Sequence, residues 1–287
     1  MENNLKIFIQ SNPHQKIAAD VARYCLHKNG YENVEIMNLH DNEHLKGNFG
    51  KKFKRNGELI TFEPNDLQSF TLLRFFPPEI CNSDYCLVID PDVFSVKKFE
   101  NIFMKNLDNT KQVFCTTFNN QYRSEVMLIK NKNFNLWDFN TILNDLFSLK
   151  IDYGDLINLK IFDNSHIGSL NNNMNSLDIL DKKTILLHTT NRLTQPWKLD
   201  LDVDFKVYTS KLNIIKNFVK KTFGLRYNKK LLSKKYIRHE DTEVFNFVSN
   251  SFKQAYQNNF ITKSDLKYSL EKKFISKKFL YECEIEI

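Results

Sequence analysis

The chain has 287 residues, of which 41% are hydrophobic and 25 are phenylalanine, so it can bury a sizeable core and global disorder is excluded. It has only 7 glycines and contains neither G-x-G-x-x-G nor G-x-x-x-x-G-K-[ST], which argues against a glycine-fingerprint dinucleotide site and against a P-loop. The formal net charge of +7 is uneven, because residues 206–238 hold 11 lysines and arginines and no acid, leaving 7 − 11 = −4 for the remainder.

The cysteines and the apolar runs predict a cytoplasmic protein. No uncharged run approaches the roughly 20 residues of a membrane helix, and no apolar signal-peptide core follows the N-terminus. The 5 cysteines are odd in number and include no C-x-x-C pair, which argues against a disulfide framework. We therefore expect a cytoplasmic protein with reduced thiols. If the basic segment binds lipid, the protein would lie at the inner face of the membrane.

The first part of the chain predicts a strand, a helix and a second strand. Lys6–Gln10 is the apolar run of a buried strand, and residues 15–28 repeat apolar side chains at helical spacing. Gly30 stands where a helix would end, and residues 34–39 again have the pattern of a strand. A strand–helix–strand order favours a parallel sheet.

The rest of the chain alternates loops with strands and then becomes helical. Residues 40–66 are polar and indicate loops with a small hairpin, residues 67–76 are an apolar stretch that stops at two prolines, and residues 85–89 are the clearest buried strand. The remaining predictions are strands at 113–118, 125–129 and 184–187, an amphipathic helix at 138–149, a surface loop at the asparagine-rich residues 171–175, and helices at 211–223, 241–257 and 263–272.

The motif D-x-D occurs three times, and its position separates the three copies. Asp90 and Asp92 directly follow the buried strand, whereas residues 200–204 have the alternation of an exposed segment. Ligands of open α/β sheets bind beyond the carboxyl ends of strands, and two carboxylates one residue apart can face one hard divalent cation. We predict a cation at Asp90 and Asp92; the alternative is a turn whose aspartates cap the backbone.

His188 also ends an apolar strand and is the candidate third ligand, because imidazole suits manganese. The alternative is an ordinary buried polar residue. The loop that follows contains Arg192, Trp197 and Lys198, of which the two cations would neutralise phosphate and the indole would stack on a phosphorylated donor. The alternative for Trp197 is an anchor in the core.

Several blocks of this sequence, in this order, resemble the family 8 glycosyltransferases, the group of glycogenin and bacterial lipopolysaccharide galactosyltransferases. The blocks are Arg74–Ile80, Tyr85–Phe94, Arg123–Lys130, Asp155–Asn158, and His188 with Gln195-Pro196-Trp197. The sequence departs from the family at Gly154, where Gln is usual, at Asn191, where Gly is usual, and at Gln195, where Lys is usual. With Leu67–Thr71 and Arg192–Lys198, the blocks are also similar to an uncharacterised bacterial branch of glycosyltransferase-like proteins.

The resemblance covers residues 5–205 and implies a GT-A type fold, a Rossmann-like mixed sheet flanked by helices. It implies that Asp155 lies by the reacting sugar, with Asp152 as the reserve candidate, and that the anomeric configuration is retained. It also implies a nucleotide-sugar donor held by Gln10, Ser11, Asn12 and Arg74 and by Mn²⁺, or another divalent cation such as Mg²⁺, at Asp90, Asp92 and His188. Arg192 or Lys198 would replace the family's diphosphate-binding Lys.

Together these interpretations predict a metal-dependent hexosyltransferase of polysaccharide biosynthesis. Residues 1–205 would be the nucleotide-sugar-binding catalytic domain and residues 206–287 a basic helical C-terminal extension. The acceptor would be a glycan or a lipid-linked glycan, and residues 206–238 would contact anionic membrane peripherally; a merely solvated helix face is the alternative.

Two other functions stay open from the sequence. A metal-dependent nucleotidyltransferase or hydrolase would also use paired carboxylates, although it would need further acidic ligands. A non-catalytic membrane- or nucleic-acid-binding protein could be built on residues 206–238. Nucleic acid is the less favoured partner, because no zinc-knuckle or RNP motif is present.

Overall fold

A six-stranded mixed sheet forms the centre of the molecule. The structure, a computed structural model, describes residues 5–99, 107–205, 218–220, 222 and 233–287. The strand order is β2-β1-β5-β8-β7-β9, in which β1 is parallel to β2 and β5, β8 is antiparallel to β5 and β7, and β9 is parallel to β7. These strands are Leu5–Ser11 (β1), Val34–Asn38 (β2), Tyr85–Ile89 (β5), Val113–Phe118 (β7), Gln121–Lys130 (β8) and Ile167–Ser169 (β9).

A smaller three-stranded sheet continues directly from the end of β5. Its strands, in the order in which they pair, are Ser176–Leu177 (β10), Leu186–His188 (β11) and Val93–Ser95 (β6). Because β11 runs antiparallel to β6 with His188 opposite Val93, the end of β11 lies beside the turn that follows β5. The predicted hairpin in the polar region is present as Lys52–Arg55 (β3) and Glu58–Thr61 (β4).

Helices cover the sheet, as the mixed α/β fold class predicts. A 3-10 helix, Ser69–Phe75, carries Arg74 towards the sheet. Side-chain caps begin several helices: Asp138 accepts from the amide of Thr141, and Asp241 accepts from the amide of Glu243. The α-helices are Lys16–Lys28 (α1), Glu43–Lys46 (α2), Pro77–Ile80 (α3), Phe139–Phe147 (α4), Tyr153–Ile157 (α5), Thr242–Gln257 (α6), Lys263–Glu271 (α7) and Lys277–Glu282 (α8).

The core lies on both faces of the sheet because neighbouring residues of each strand point to opposite sides. Ile7 and Ile9 of β1 belong to the cluster on one face, and Phe8 belongs to the cluster on the other. Val244 and Phe252 of α6 are in the same buried cluster as Ile7 and Ile9. The C-terminal helices therefore share a core with the sheet, and the division at residue 205 stays a prediction.

The basic segment lies largely outside the described residues. Of the helix predicted at 211–223, the described residues are 218–220 and 222, which are helical and exposed. The predicted membrane contact of residues 206–238 falls mostly on the part that is not described. Among the residues that the structure describes, no helix is both long enough and apolar enough to cross a membrane.

Candidate functional site

The structure brings together the three residues predicted as metal ligands. Asp90, Asp92 and His188 each offer one ligand atom, and these atoms lie within 4.8 Å of one another. Nε2 of His188 is 3.4 Å from Oδ1 of Asp92. The cause is the topology, because the pairing of β6 with β11 places the end of β11 against the turn after β5.

Asp90 is held rigidly by its neighbours. Nε of Arg74 donates to Oδ1 of Asp90 at 2.9 Å, Nη2 donates to Oδ2 at 2.5 Å, and the side-chain amide of Gln10 also donates to Oδ1. Nη1 of Arg74 donates to Oγ of Ser124 at 2.9 Å. Burial raises the pKa of Asp90 to about 6 against the opposing charge of Arg74. Asp92 is more open, and its Oδ2 accepts from Gln195 at 3.3 Å.

His188 is oriented by a buried asparagine that the sequence analysis placed in a surface loop. Nδ1 of His188 is 2.8 Å from Oδ1 of Asn175, whose Nδ2 donates to Oγ1 of Thr116 at 3.3 Å. Residues 171 and 172 are exposed as predicted. The prediction is wrong at Met174 and Asn175, because residues 172–175 form a 3-10 helix in which Met174 fills the core and Asn175 holds the imidazole.

The donor set fits a divalent cation. Because Nδ1 of His188 is engaged with Asn175, Nε2 is the ring nitrogen left to bind a cation, and it lies beside the carboxylate of Asp92. Burial lowers the pKa of His188, but Asp92 and Asp90 together raise it, so the two carboxylates attract positive charge to this point. A divalent cation between Nε2 and the carboxylates would supply that charge.

A cavity of about 200 Å³ opens beside the three candidate ligands. Among the described residues, the buried side-chain oxygens of Gln15 and Gln195 have no hydrogen-bond partner, and both residues line the cavity. Three guanidinium groups line the same space, so the cavity would suit a polar, anionic ligand once a cation neutralises Asp90 and Asp92. Its other lining residues are Leu67, Gln68, Phe70, Arg74, Arg123, Glu125, Thr190 and Arg192.

The residues at the end of β1 make contacts within the protein. Gln10, Ser11 and Asn12 are buried, and Gln10 donates to Asp90. Nδ2 of Asn12 donates to the carbonyl of Asp66 and to Oγ of Ser69, both at 3.0 Å. These contacts fasten the loop before Arg74 to the sheet. Direct donor contact by the three residues stays a prediction.

The three residues predicted to contact the donor from the loop after His188 lie in different surroundings. Arg192 lines the cavity. Trp197 is fully buried, with ring centroids 6.1 Å from Phe94 and 5.9 Å from Phe252, and the fully buried Lys198 pairs with Asp204. The loop turns both side chains into the interior, and the donor contacts of Trp197 and Lys198 stay predictions.

Asp152 and Asp155, the two acids predicted near the reacting sugar, lie at the start of α5. Asp152 caps α5 and accepts from the amides of Gly154 at 2.7 Å, Gly57 at 2.8 Å and Asn56 at 3.0 Å. Burial acts to raise the pKa of Asp152, but these amides lower it. Asp155 is half exposed and lies 3.5 Å from Nζ of Lys160. Neither residue lines the cavity beside His188, and a catalytic role for them stays a prediction.

Gln15, Arg123 and Glu125 line the cavity but were not among the predicted site residues. Gln15 stands just before α1 in the turn after β1, a position at which a polar side chain reads as an ordinary helix start. Arg123 and Glu125 are two residues apart on β8 and form an ion pair of 2.8 Å. The available signal was the pair of charged residues at alternate positions directly before the apolar run Val126–Ile129.

No family model matches the chain, and no curated protein matches it significantly. Solved structures similar to it include the apo form of the glycosyltransferase GlyE from Streptococcus pneumoniae TIGR4, with 16% identity and a TM-score of 0.48 over 76% of this chain and 64% of that one. The chain thus matches less than two thirds of the length of GlyE. The galactosyltransferase LgtC in complex with donor and acceptor sugar analogues has 13% identity and a TM-score of 0.45, over 67% of this chain and 89% of that one. Mouse xyloside xylosyltransferase 1 has 10% identity and a TM-score of 0.43, over 65% of this chain and 98% of that one.

Proposed function

We propose that this protein is a glycosyltransferase that uses a divalent cation and a nucleotide-sugar donor. The observation that carries the proposal is the group of Asp90, Asp92 and His188 beside a cavity that Arg74, Arg123 and Arg192 also line. Such a cavity pairs a cation site with further positive charge, which is what a diphosphate leaving group requires.

The residues have distinct roles in this proposal. Asp92 and His188 are the more direct ligands, because both oxygens of Asp90 already accept hydrogen bonds from Arg74. Arg74 positions Asp90, and Asn175 positions His188. When bound, the cation would neutralise the charge that grows on the departing diphosphate. Arg192, which lines the same cavity, would neutralise a further phosphate oxygen.

The finer parts of the proposal come from the resemblance and from charge. They are Mn²⁺ as the ion, retention of configuration, and a glycan or lipid-linked glycan as acceptor. The 11 basic residues of 206–238 support contact with an anionic lipid surface. Co-sedimentation with anionic and neutral vesicles across a salt series tests that contact, and equal binding to both kinds of vesicle would contradict it.

A screen of nucleotide sugars for donor hydrolysis, with and without Mn²⁺, tests the proposed reaction. We expect release of free sugar and nucleoside diphosphate from one donor, dependent on the ion. Release of a nucleoside monophosphate would instead indicate the nucleotidyltransferase or hydrolase alternative.

A binding experiment with matched variants tests the cation site. Titration of wild-type protein with a nucleoside diphosphate should show affinity that rises at least tenfold with Mn²⁺, and Asp92→Asn should abolish that rise. The control is Asp202→Asn in the exposed D-x-D copy, which should behave as wild type. Equal dependence on Mn²⁺ in Asp92→Asn and wild type would overturn the assignment.

A further inference from the structure

A third carboxylate faces the cavity beside the candidate metal ligands. Glu125 lines the cavity with Asp90 and Asp92, and it is not one of the three residues whose ligand atoms cluster. Its position follows from the sheet: Ile89 pairs with Val126, and the amide of Asp90 donates to the carbonyl of Glu125 at 3.0 Å. Glu125 therefore stands directly beside the end of β5.

The surroundings of Glu125 keep it negatively charged. Nη2 of Arg123 is 2.8 Å from Oε1 of Glu125, and Nε donates to Oε2 at 3.2 Å. The side chain is 18% exposed, and that exposed part opens into the cavity. An ionised carboxylate thus meets any ligand that fills this space.

The other acids near the cavity are engaged elsewhere. Both oxygens of Asp90 accept from Arg74, and Asp92 belongs with His188 in the candidate ligand group. Asp155 does not line the cavity and lies beside Lys160. Among the described acids that line this cavity, Glu125 is accordingly the one that stands outside the candidate ligand group.

We propose that Glu125 faces the anomeric carbon of the donor sugar and stabilises the positive charge that forms there. This inference rests on the proposed function. In the reaction, the bond between the anomeric carbon and the phosphate oxygen breaks, and its electron pair leaves with the nucleoside diphosphate. The acceptor oxygen then bonds to the anomeric carbon, and its proton passes to the departing phosphate oxygen. Glu125 forms no bond and acts by its charge alone, while Arg123 fixes its position.

The alternative is that Arg123 and Glu125 form only a structural ion pair of β8. The variant Glu125→Gln separates the two, because it keeps the shape of the side chain and removes its charge. A catalytic Glu125 predicts that the kcat of donor turnover falls about 100-fold, while KM for the donor and the affinity for nucleoside diphosphate with Mn²⁺ stay within about threefold of wild type. A structural ion pair predicts a lower melting temperature with kcat retained.

Two further variants complete the experiment. Glu125→Asp keeps the charge but moves it back by one methylene, so it should recover part of the lost kcat. The matched control is Glu35→Gln, which breaks an ion pair with Lys6 of 2.6 Å outside the cavity and should leave kcat unchanged. If Glu125→Gln does not fold, the comparison of Glu125→Asp with wild type decides the question, and an unchanged kcat in Glu125→Asp overturns the proposal.

The outcomes distinguish this inference from the proposed function. Wild-type protein that neither binds nucleoside diphosphate with Mn²⁺ nor turns over any nucleotide sugar overturns the proposed function. Wild-type turnover together with an unchanged kcat in Glu125→Gln overturns the role of Glu125 alone. Loss of Mn²⁺-dependent nucleotide binding in Glu125→Gln also overturns it, because Glu125 would then belong to the cation site.

Discussion

Two acidic regions of the molecule look alike in sequence and differ in structure. Asp90 is buried and Asp92 is nearly so. They lie where the turn after β5 meets His188 at the end of β11. Asp152 and Asp155 lie on the turn that starts α5, where one caps the helix and the other is half exposed beside a lysine. The comparison teaches that the position of an acid relative to a buried strand end is more informative than its spacing from a second acid.

The largest effect is expected from Arg74 at the strand-end corner. Replacing it with methionine would leave Asp90 buried without its counter-charge, and breaking a buried pair in this way costs about 3–5 kcal/mol. Urea denaturation should show a loss of unfolding free energy of that size. A loss below about 1 kcal/mol would mean that the corner is more hydrated than its burial indicates.

A second test removes the support behind His188. Asn175→Ala takes away the acceptor for Nδ1 of the imidazole, and loss of such a supporting contact weakens metal affinity by about 10- to 100-fold. Calorimetric titration with Mn²⁺ measures the change. Wild-type affinity in this variant would show that the orientation of His188 does not depend on Asn175.

On the helix-start side, Asp152→Ala should act on stability alone. Loss of a capping carboxylate costs about 1 kcal/mol, and nucleotide binding with Mn²⁺ should not change. Thermal and urea unfolding measure the first quantity, and the same nucleotide titration measures the second. A strong loss of nucleotide affinity at normal stability would bring Asp152 into the site.

The smallest change in stability is expected from Asp155→Asn. The half-exposed pair with Lys160 is worth under about 1 kcal/mol. The proposed role of Glu125 also predicts kcat near that of wild type in this variant. Unaltered donor affinity with lost turnover would instead support the catalytic role that the resemblance implies for Asp155.

A pH series tests the loop that links His188 to the C-terminal part. Nε2 of His239 is 3.3 Å from Oδ1 of Asp178, whose Oδ2 accepts from Thr190. Burial acts to lower the pKa of His239, but Asp178 raises it above its ordinary value of 6.5. The stabilisation is therefore complete below pH 6.5 and is lost as the pH rises through the higher folded pKa. The difference in unfolding free energy between wild type and Asp178→Asn should shrink from pH 6 to pH 8, and His239→Gln should remove that trend.

The sequence predicted the parts of the fold that are locally determined. The strand Leu5–Ser11, helix α1 and the strand Tyr85–Ile89 are confirmed, because each carries its own apolar period. The strands β6, β9 and β10 have two or three residues and exist through pairing with distant segments, so no local pattern indicates them. The burial of Trp197 and Lys198 was likewise not predictable from local sequence. A tryptophan in a polar loop has the same local pattern whether its side chain turns inward or outward.

The site shows the same division between local and distant information. Asp90, Asp92 and His188 were identified because each ends an apolar strand. Asn175 was missed because its value depends on contact with His188, 13 residues away, inside a stretch whose composition is typical of loops. Glu125 was missed because its role depends on which strand neighbours β5, and local propensity carries no information on that pairing.

Backbone hydrogen bonds from the C-terminal part determine when, during synthesis of the chain, the loop after His188 can become fixed. The amide of Ile237 donates to the carbonyl of Leu193 at 2.9 Å, and the amide of Ser276 donates to the carbonyl of Trp197 at 2.8 Å. A nascent chain that has emerged only as far as His188 already contains Asp90, Asp92 and His188. It still lacks the two hydrogen bonds that hold the loop after His188. Contacts between residues far apart in the chain form late in folding, so the loop after His188 should become fixed only after Ser276 has been synthesised.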